Sequence, residues 1–464
     1  MTHQKTNKKT ELLAPVGSLE SFFAALENGA DAVYCGLKEF SARAKAKNFT
    51  VPEVERMAAH AHQHRRKLYI ALNTLIKEKE LPQLVGILGD LAGAGVDGLI
   101  IQDLGVWRLA RNYFPQLPLH ASTQLAVHNA AGVRMLEQMG FTRAVLAREL
   151  SLVEIAAIRQ QSTIELEHFV HGALCFSISG QCLFSSAISS MSGNRGRCAQ
   201  PCRRKYLNRE QPGYHFSTSD FCALSQLPQL LKAGVVSLKI EGRMKSADYV
   251  ARVVAAYRLV LDAPESGRKQ AMQEAEEQLA LSFGRQATKG FLSGSVPAAI
   301  ADSSKQGTLG KHLGQVTSLR GGMIGFETSD RLHVGDRIRV QPQNDQAGTG
   351  FTVRELWIEQ KKFKAVKAGD FVRVRIPDKG GFFQAGDKVF KVGGKAAFTL
   401  SPESCRATLE KVVVPEKSTV KKESLEQARV QAMASLLPAA APQASSAQTL
   451  TVRGAGTPGF SCPR

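Results

Sequence analysis

The first 260 residues or so repeat one pattern, in which a short apolar run of β-forming residues precedes an amphipathic helical stretch. The first run is LLAP and the last is SLKIEG, and stretches such as LESFFAALENGA between them carry apolar residues every three or four positions. Strands that alternate with helices form a parallel sheet. Eight such units are typical of a (β/α)8, TIM-like barrel. We therefore predict an α/β protein built on this barrel, with a doubly wound open sheet as the competing architecture.

Composition divides the chain into four predicted segments. Residues 1–10 are polar and are predicted to be a disordered N-terminus, and the barrel is assigned to residues 11–300. Across residues 301–410 the sequences LHVGDRIRV, VKAGDFVRV and FFQAGDKVFKV place a Gly-Asp turn between apolar runs, which predicts a small β-barrel domain. Residues 411–464 are rich in Lys and Glu and then in Ala, Pro and Ser, which predicts a low-complexity, mostly disordered tail.

Lys and Arg outnumber Asp and Glu by 60 to 41, which gives a net charge of +19 and a pI near 9.7. Such a charge favours RNA, DNA or an anionic surface as partner, although a solvated basic surface gives the same total. No apolar run approaches the ~18–20 residues of a membrane span, and the first residues lack a signal-peptide core. We expect a cytoplasmic protein without a membrane partner, in which clustered cysteines bind metal or take part in chemistry.

One segment of the predicted barrel is unusually long. About 50 residues separate His171, at the end of a predicted strand, from the next helix, against roughly 2–6 in an ordinary βα loop. This segment, residues 172–222, contains Cys175, Cys182, Cys198, Cys202 and Cys222. The first four follow the spacing C-x6-C-x15-C-x3-C, with glycines between them that let the backbone bend around an inorganic centre. The paired C-x2-C knuckles of zinc ribbons are missing from it. A [4Fe–4S] cluster, a zinc ion and unligated cysteines remain three open interpretations.

Polar residues follow the predicted strands at the edge where a parallel barrel carries its chemistry. They are Asn73, Gln102, Asp103, Ser122, Gln124, Arg148, Glu149, His171, Lys239, Glu241 and Arg243. The competing interpretation of each residue is a helix cap or a loop hydrogen bond. The cations of NRGRCAQPCRRKY, around Cys198 and Cys202, are expected to offset thiolate charge or to bind phosphates.

Several of these stretches resemble the peptidase U32 family. ELEHFVHGALCFSISGQCLFS at residues 165–185 resembles the family signature, and ELLAPVGSLESFFAALENGADAVYCG, NRGRCAQPCRRKY and LKIEGRMKSADYV fit the same family. The resemblance covers about residues 11–300, and the β-rich segment is similar to the C-terminal region of longer members. The final TVRGAGTPGFSCPR does not resemble the family.

The resemblance implies an oxygen-independent hydroxylase with a cysteine-held [4Fe–4S] cluster, although some members are labelled collagenase-like proteases. Members hydroxylate a cytidine of 23S ribosomal RNA, the wobble uridine of tRNA or the ubiquinone ring, and the RNA enzymes are thought to use prephenate as oxygen source. RNA is therefore the expected partner, and the sequence does not indicate the electron donor. The resemblance assigns as cluster ligands Cys175, Cys182, Cys198 and Cys202, with Cys222 or Cys35 as the alternative fourth ligand.

Within this interpretation the rim residues have candidate roles. Arg148, Lys239 and Arg243 are expected to bind a dicarboxylate such as prephenate, since guanidinium groups pair with carboxylates bidentately. Ion pairs with Glu149 or Glu241 are the structural alternative. His171 is a candidate proton shuttle or a core histidine.

Two other functions compete. A U32-type peptidase is the alternative, with Cys175 as nucleophile and His171 as base, but the sequence contains neither H-E-x-x-H nor G-x-S-x-G. The other is a non-catalytic RNA-binding protein with structural cysteines.

Overall fold

A computed structural model of the protein describes residues 10–436, except residues 45, 209–210, 281, 283–285, 295–299, 302–309, 344–347, 378–382, 394–396 and 417–418. The predicted N-terminal segment up to residue 9 and residues 437–464 of the predicted tail lie outside the described residues. Strands and helices are numbered along the chain.

Eight parallel strands close into a barrel, which confirms the predicted fold. They are β1 (Glu11–Pro15), β2 (Ala32–Cys35), β3 (Lys67–Leu72), β4 (Gly98–Ile101), β5 (Leu119–Ala121), β6 (Arg143–Val145), β7 (Glu165–Ala173) and β11 (Val235–Ile240). Consecutive strands pair with each other, and β11 pairs with both β7 and β1. This double pairing closes the ring and excludes the open sheet.

Helices surround the barrel and cover its outer face. They are α1 (Leu19–Glu27), α2 (Val51–Gln63), α3 (Leu81–Ala94), α4 (Leu104–Tyr113), α5 (Ala130–Gln138), α6 (Leu152–Gln160), α8 (Leu227–Lys232), α9 (Ala247–Asp262) and α10 (Arg268–Ala280), whereas α7 (Phe184–Ser189) lies in the long segment between β7 and β11. Ser18, Thr50 and Ser151 start their helices as capping boxes, so side chains satisfy the first free N–H groups. The local sequence therefore fixes where several helices begin.

The long segment between β7 and β11 contributes three short strands. They are β8 (Tyr206–Asn208), β9 (Gln211–Gly213) and β10 (Asp220–Cys222). β8 and β9 form a hairpin, whereas β10 runs antiparallel to the end of β7 and also pairs with β12 (Ala287–Thr288). The segment thus leaves the barrel at its carboxyl edge and returns along β7.

The barrel interior contains a buried network of charges where apolar side chains usually fill such barrels. Arg143 of β6 donates to Glu11 at 2.6 Å and to Glu167 at 3.0 Å. Lys239 of β11 donates to the other oxygen of Glu167 at 2.7 Å, and Ser237 donates to both carboxylates. Glu167 is fully buried, and the network joins β1, β6, β7 and β11 at the point where the ring closes.

The C-terminal region forms two antiparallel sheets, which confirms the predicted β-rich fold. One sheet contains β13 (Lys311–Gln315), β23 (Lys388–Gly393), β17 (Arg337–Gln341) and β18 (Thr349–Thr352). The other contains β14 (Ser318–Arg320), β15 (Met323–Glu327), β22 (Phe371–Arg375), β19 (Leu356–Ile358) and β20 (Lys361–Phe363), and β16 (Leu332–His333) pairs with β21 (Ala365–Val366). Residues from both sheets share one apolar core that includes Phe326, Ile338 and Val374.

The three Gly-Asp repeats form the same turn. Each glycine has a positive φ, of 97° at Gly335, 89° at Gly369 and 94° at Gly386. Each aspartate that follows accepts the backbone N–H of the residue three positions earlier, at 2.7–2.8 Å. Glycine is needed because a side chain is strained at positive φ.

Two helices follow the β sheets, one at the end of the predicted β-rich segment and one at the start of the predicted low-complexity tail. Helices α11 (Pro402–Glu410) and α12 (Thr419–Ala434) return to the barrel, and α12 packs on α3, with an ion pair between Arg429 and Asp90. Leu425 and Ala432 join the barrel core. Composition suggested disorder because the exposed face of α12 carries the Lys and Glu residues.

We predict that Glu167→Gln destabilises the barrel, because Gln keeps the volume but leaves Arg143 and Lys239 without their shared counter-charge. Breaking a buried ion pair costs about 3–5 kcal/mol of unfolding free energy. Urea denaturation measures this loss, and Glu78→Gln, at an exposed carboxylate, is the control with a change under about 0.5 kcal/mol.

The pH dependence of this loss has a definite sign. Burial opposes ionisation of Glu167, but the charges of Lys239 and Arg143 outweigh it and lower the pKa of Glu167. The stability that this carboxylate contributes is present above the ordinary Glu pKa and is lost as the pH falls through the lowered pKa. The difference between wild type and variant therefore shrinks in acid, and equal stability of the two at neutral pH would contradict the assignment.

Candidate active site at the barrel mouth

Alternate residues of each strand point into the barrel and reach its mouth. Tyr34, Tyr69 and Ile100 form a small interior cluster, and their strand neighbours face the helices. The same alternation turns Asn73 and Gln102 inward at the carboxyl ends of β3 and β4. Gln102 is 8% exposed, and its Oε1 has no hydrogen-bond partner among the described residues. The mouth therefore offers a buried acceptor to a ligand.

An ion pair lies at the edge of this opening. Arg43, in the loop after β2, donates from Nη2 to Oε1 of Glu241, just after β11, at 2.9 Å. Burial raises the pKa of Glu241, but Arg43 outweighs this effect, helped by Arg148 and Arg243, so the pKa is lowered. Three guanidinium groups thus surround one carboxylate, and the mouth carries excess positive charge.

Arg243 is a buried cation that forms no direct ion pair among the described residues. It is 6% exposed, and its Nη1 donates to Oγ of Ser41 at 2.9 Å. Gly36 makes room for it, because a Cβ there would lie 2.6 Å from Nη1. No Asp or Glu in the described part of the chain forms an ion pair with it. Burial, and then the charge of Arg43, lower the pKa of Arg243 to about 10. An anionic ligand would supply the negative charge that stabilises this guanidinium group.

The other two predicted anion-binding residues differ from each other. Arg148 donates to the carbonyl of Ala173 at 3.4 Å and lies 4.5 Å from the ring centroid of Phe169, with no ion pair to a described carboxylate. Lys239 is 3% exposed and is paired with Glu167 in the interior. Arg148 can therefore pair with an anionic ligand at the mouth, whereas Lys239 is already paired with Glu167 and has a structural role.

Four thiols lie within electrostatic range of one another near this ion pair. Burial raises the pKa of Cys202, Arg203 lowers it, and the neighbouring thiols of Cys175, Cys198 and Cys182 raise it further. A Cβ on Gly193 would lie 3.7 Å both from the carbonyl of Cys182 and from Cβ of Cys198, so these two residues flank one glycine. Cys175 also lies within electrostatic range of Arg43, which links the thiols to the mouth.

The four thiols are accessible and have polar neighbours. Cys175 and Cys198 are exposed, Cys182 and Cys202 are half-buried, and all four are free. The backbone N–H of Gln200 donates to Sγ of Cys198 at 3.4 Å, and Cys175 Sγ lies 3.2 Å from Oγ of Ser177. N–H groups aimed at sulfur stabilise thiolate charge and tune metal–sulfur centres.

Arginines and a glycine hold the cysteine segment on the barrel. Arg203 donates to the carbonyl of Leu174 at 2.7 Å and to Oγ1 of Thr218 at 2.9 Å, which joins the two ends of the segment. Arg195 pairs with Glu80. Gly196 has φ +76°, and a Cβ there would overlap the carbonyl oxygen of Ser41. This close approach brings the segment against the loop that carries Arg43.

Glu149 anchors the segment from the side of β6. It accepts the backbone N–H of Ser179 at 3.0 Å and its Oγ at 3.3 Å, and its Oε2 lies 3.5 Å from Nε2 of His128. Ser179, His128 and Glu149 superficially suggest a catalytic triad. Ser179 is 2% exposed, however, and serine and carboxylate both contact the same histidine nitrogen. A triad needs them on opposite nitrogens, so the cluster positions the segment.

Three predicted site residues lie away from the mouth. His171 is 1% exposed between Tyr249 and Tyr257 of α9, and burial lowers its pKa to about 3, so it is a neutral core histidine. Cys222 pairs across from it, 4.0 Å from Tyr257 Oη. Cys35 is fully buried on the outer face of β2, and burial raises its pKa to about 12.

Of the other rim residues, Asp103 caps α4 by accepting the N–H groups of Gly105 and Val106 at 2.7 and 3.1 Å. Asn73 donates to Gln124 at 2.7 Å, and Ser122 donates to the same amide oxygen at 3.3 Å. These two contacts join β3 to the loop after β5.

Arg43 is the main residue that sequence reasoning missed. It lies in SARAKAK, a basic loop after a strand end, which was a usable signal because such loops form the active face of these barrels.

The donor set is of the type that an iron–sulfur cluster uses. Four free thiols have neighbouring cations, and one of them accepts a backbone N–H. Among the described residues, no three His, Cys, Asp or Glu side chains are arranged to hold a single metal ion.

Fold and site together define a TIM-like barrel protein with a thiol-rich segment and excess positive charge at its mouth. Within the described residues, no helix has the length and apolar character needed to cross a membrane. The sequence profile of peptidase family U32 matches residues 17–301, and the chain belongs to this family.

The chain is similar to proteins named for RNA hydroxylation. It is 37% identical to the tRNA hydroxylation protein P1 of Bacillus subtilis, over 55% of this chain and 64% of that protein. It is 39% identical to the 23S rRNA 5-hydroxycytidine synthase of Escherichia coli, over 56% of this chain and 40% of that protein. It is 30% identical to the tRNA hydroxylation protein P of Escherichia coli, over 80% of this chain and 94% of that protein. The matched regions thus span less than two thirds of the first two relatives.

We predict that Gly196→Ala loosens the cysteine segment, because the methyl group overlaps Ser41. Limited trypsin digestion should then cut faster at Arg197 and Arg204, both exposed in this segment. Gly95→Ala is the matched control, since Gly95 has nearly the same φ of +75° but no atom within 4 Å of its Cβ position. Equal cleavage in the two variants would contradict steric docking of the segment.

Proposed function

We propose that this protein is an oxygen-independent RNA hydroxylase that carries a [4Fe–4S] cluster. The observation that carries the proposal is the gathering of four free thiols beside the Arg43–Glu241 pair at the barrel mouth. Relatives named for hydroxylation of tRNA and of 23S rRNA supply the reaction class and the substrate class. A cytidine of 23S ribosomal RNA and the wobble uridine of tRNA are the two candidate substrates.

The cluster would be held by Cys175, Cys182, Cys198 and Cys202. When bound, it would supply electron transfer at the mouth. Because Cys222 and Cys35 lie in other parts of the barrel, Cys202 is the fourth ligand in this proposal. The chain itself fixes the spacing of the thiols through the contacts of Arg203, Glu149 and Gly196.

The guanidinium groups would bind the oxygen donor, for which we propose prephenate. Arg243 and Arg148 form no ion pair with a described carboxylate and share the charge of Glu241 with Arg43, whereas a dicarboxylate supplies two negative groups. Glu241 holds Arg43 at the edge and leaves the deeper Arg243 for the ligand. Bidentate pairing would orient the ligand beneath the thiols. Lys239 contributes indirectly, by fixing Glu167 and with it the end of β11.

We predict that substitution of the thiols separates ligands from core cysteines. Anaerobically purified wild type should contain about four Fe per chain, and Cys175→Ala and Cys198→Ala should lose most of it. Cys35→Ala and Cys222→Ala are the controls and should retain it.

RNA mass spectrometry of a deletion strain should show one hydroxyl lost from rRNA or tRNA, restored by wild type and not by Cys175→Ala. A colourless protein that cleaves casein would favour the peptidase instead.

We predict that Arg243→Ala weakens binding of prephenate about 10- to 100-fold, because a charged hydrogen bond contributes roughly 1.5–3 kcal/mol. Isothermal titration calorimetry of the purified protein measures the dissociation constant. Arg197→Ala, at an exposed cation of the cysteine segment, should leave it unchanged. Equal affinities of wild type and Arg243→Ala would remove prephenate from this site.

A further inference from the structure

The solvent face of the five-stranded sheet has a composition that its fold does not require. On β22, Val372 and Val374 are fully buried in the core, whereas Phe371, Arg373 and Arg375 are exposed. Side chains alternate between the two faces of a strand, so these three residues share one face. Phe371 is 43% exposed, although burial of a phenyl ring in the neighbouring core would be favourable.

Register places aromatic rings and cations next to each other on this face. Arg373 pairs with Gly325 of β15 on one side and with Trp357 of β19 on the other. The ring of Phe371 lies close to Gly325, since a Cβ there would come 3.0 Å from its Cζ. The surface over β15 and β22 is therefore formed by an aromatic ring and a guanidinium group.

At the edge of the sheet an aromatic ring again lies next to a cation. Trp357 pairs with Lys362 of β20, whose ammonium lies 4.8 Å from the indole centroid. Glu355 accepts from Lys362 at 2.8 Å and from the indole N–H at 3.2 Å, so this lysine is compensated.

Three more cations lie on this face, and one of them, Arg375, is partly compensated by the charge of Glu355. Arg320 and Arg375 both pair with Met323, one on each side, and Arg373 lies two residues before Arg375. Within the part of the chain that the structure describes, none of these arginines forms an ion pair. Glu327 is the remaining acidic residue, opposite Phe371. The face thus carries net positive charge around its exposed rings.

We propose that this face, the β22 face, binds single-stranded RNA. It consists of Arg320, Trp357, Lys362, Phe371, Arg373 and Arg375. Exposed rings stack on unpaired bases, and arginines neutralise the phosphates between them. A duplex would satisfy the arginines but hide its bases from Phe371, and an acidic protein would likewise leave the ring unused. The RNA identity of the partner rests on the proposed function.

Fluorescence anisotropy of the full chain with a fluorescein-labelled oligouridine tests the proposal. Phe371→Ala should weaken binding about tenfold, because one base–ring stack contributes roughly 1–3 kcal/mol. Phe371→Trp should retain binding. The double variant Arg373→Ala/Arg375→Ala should reduce the slope of log K against log salt concentration by about 0.7 per cation.

Matched variants control for loss of any ring or any charge. Phe363→Ala removes a ring that is 40% exposed at the edge of the same sheet and should leave affinity unchanged. Arg337→Ala/Lys388→Ala removes two exposed cations from the other sheet and should leave the salt slope intact. Equal losses in the control and test variants would overturn the proposal.

Tryptophan fluorescence localises the contact. The chain contains two tryptophans, so Trp107→Phe leaves Trp357 as the only indole, and bound RNA should quench it. Unchanged fluorescence during binding would place the RNA elsewhere. A duplex or poly-glutamate that binds as tightly as oligouridine would show a general cation surface and overturn the assignment.

The outcome is separable from that of the proposed function because binding needs neither cluster nor turnover. Hydroxylated RNA together with unaffected binding by Phe371→Ala would overturn this inference alone. Ring-dependent binding without any hydroxylation would overturn the proposed reaction alone.

Discussion

Closure of the barrel between β7 and β11 is the constraint on which the rest of the structure depends. About 60 residues separate these strands, yet they pair, and Ser237 of β11 lies between Glu167 and Glu11 in one row across the seam. Glu167 accepts from Lys239 across this seam, so a shift of register by one residue would leave Lys239 buried without this partner. The same register places Glu241 and Arg243 at the mouth, beside the start of the cysteine segment.

The mouth and the cysteine segment form one electrostatic unit. Arg43, Arg148 and Arg243 surround Glu241, and a single carboxylate does not balance three cations. Cys175 lies within electrostatic range of Arg43, and a dicarboxylate would supply negative charge at Arg243. A cation and a thiolate that lie next to each other each lower the electrostatic free energy of the other. Anion binding and thiolate ligation are therefore expected to be coupled.

Sequence predicted those features that depend on local pattern, and it failed where a contact joins distant residues. The barrel followed from strand and helix periods, and the rim followed from the position of polar residues at strand ends. The ion pair of Arg43 with Glu241 spans 198 positions, so no local pattern carries it. The side chain of Lys239 faces the barrel interior, as that of Glu241 does, but it lies deeper and forms an ion pair with Glu167.

His171 shows how a small irregularity reverses a prediction. Its strand neighbours Glu167 and Phe169 face inward, and strict alternation would bring His171 to the mouth as well. The pairing of β7 with β11 shifts register between Lys239 and Ile240, and His171 faces α9 instead. Such irregularities change the face that a side chain occupies without any mark in the sequence.

The buried Cys35 can be compared with the four cysteines of the segment. Cys35 is a core thiol: it is fully buried, and burial raises its pKa to about 12. The four thiols of the segment remain accessible to solvent, where oxidation threatens them. Arg203, Glu149 and Gly196 hold the segment that carries these thiols in place. This ordering costs conformational entropy that the segment would otherwise keep. A cysteine nucleophile would need one fixed thiol, whereas the proposed cluster would use all four.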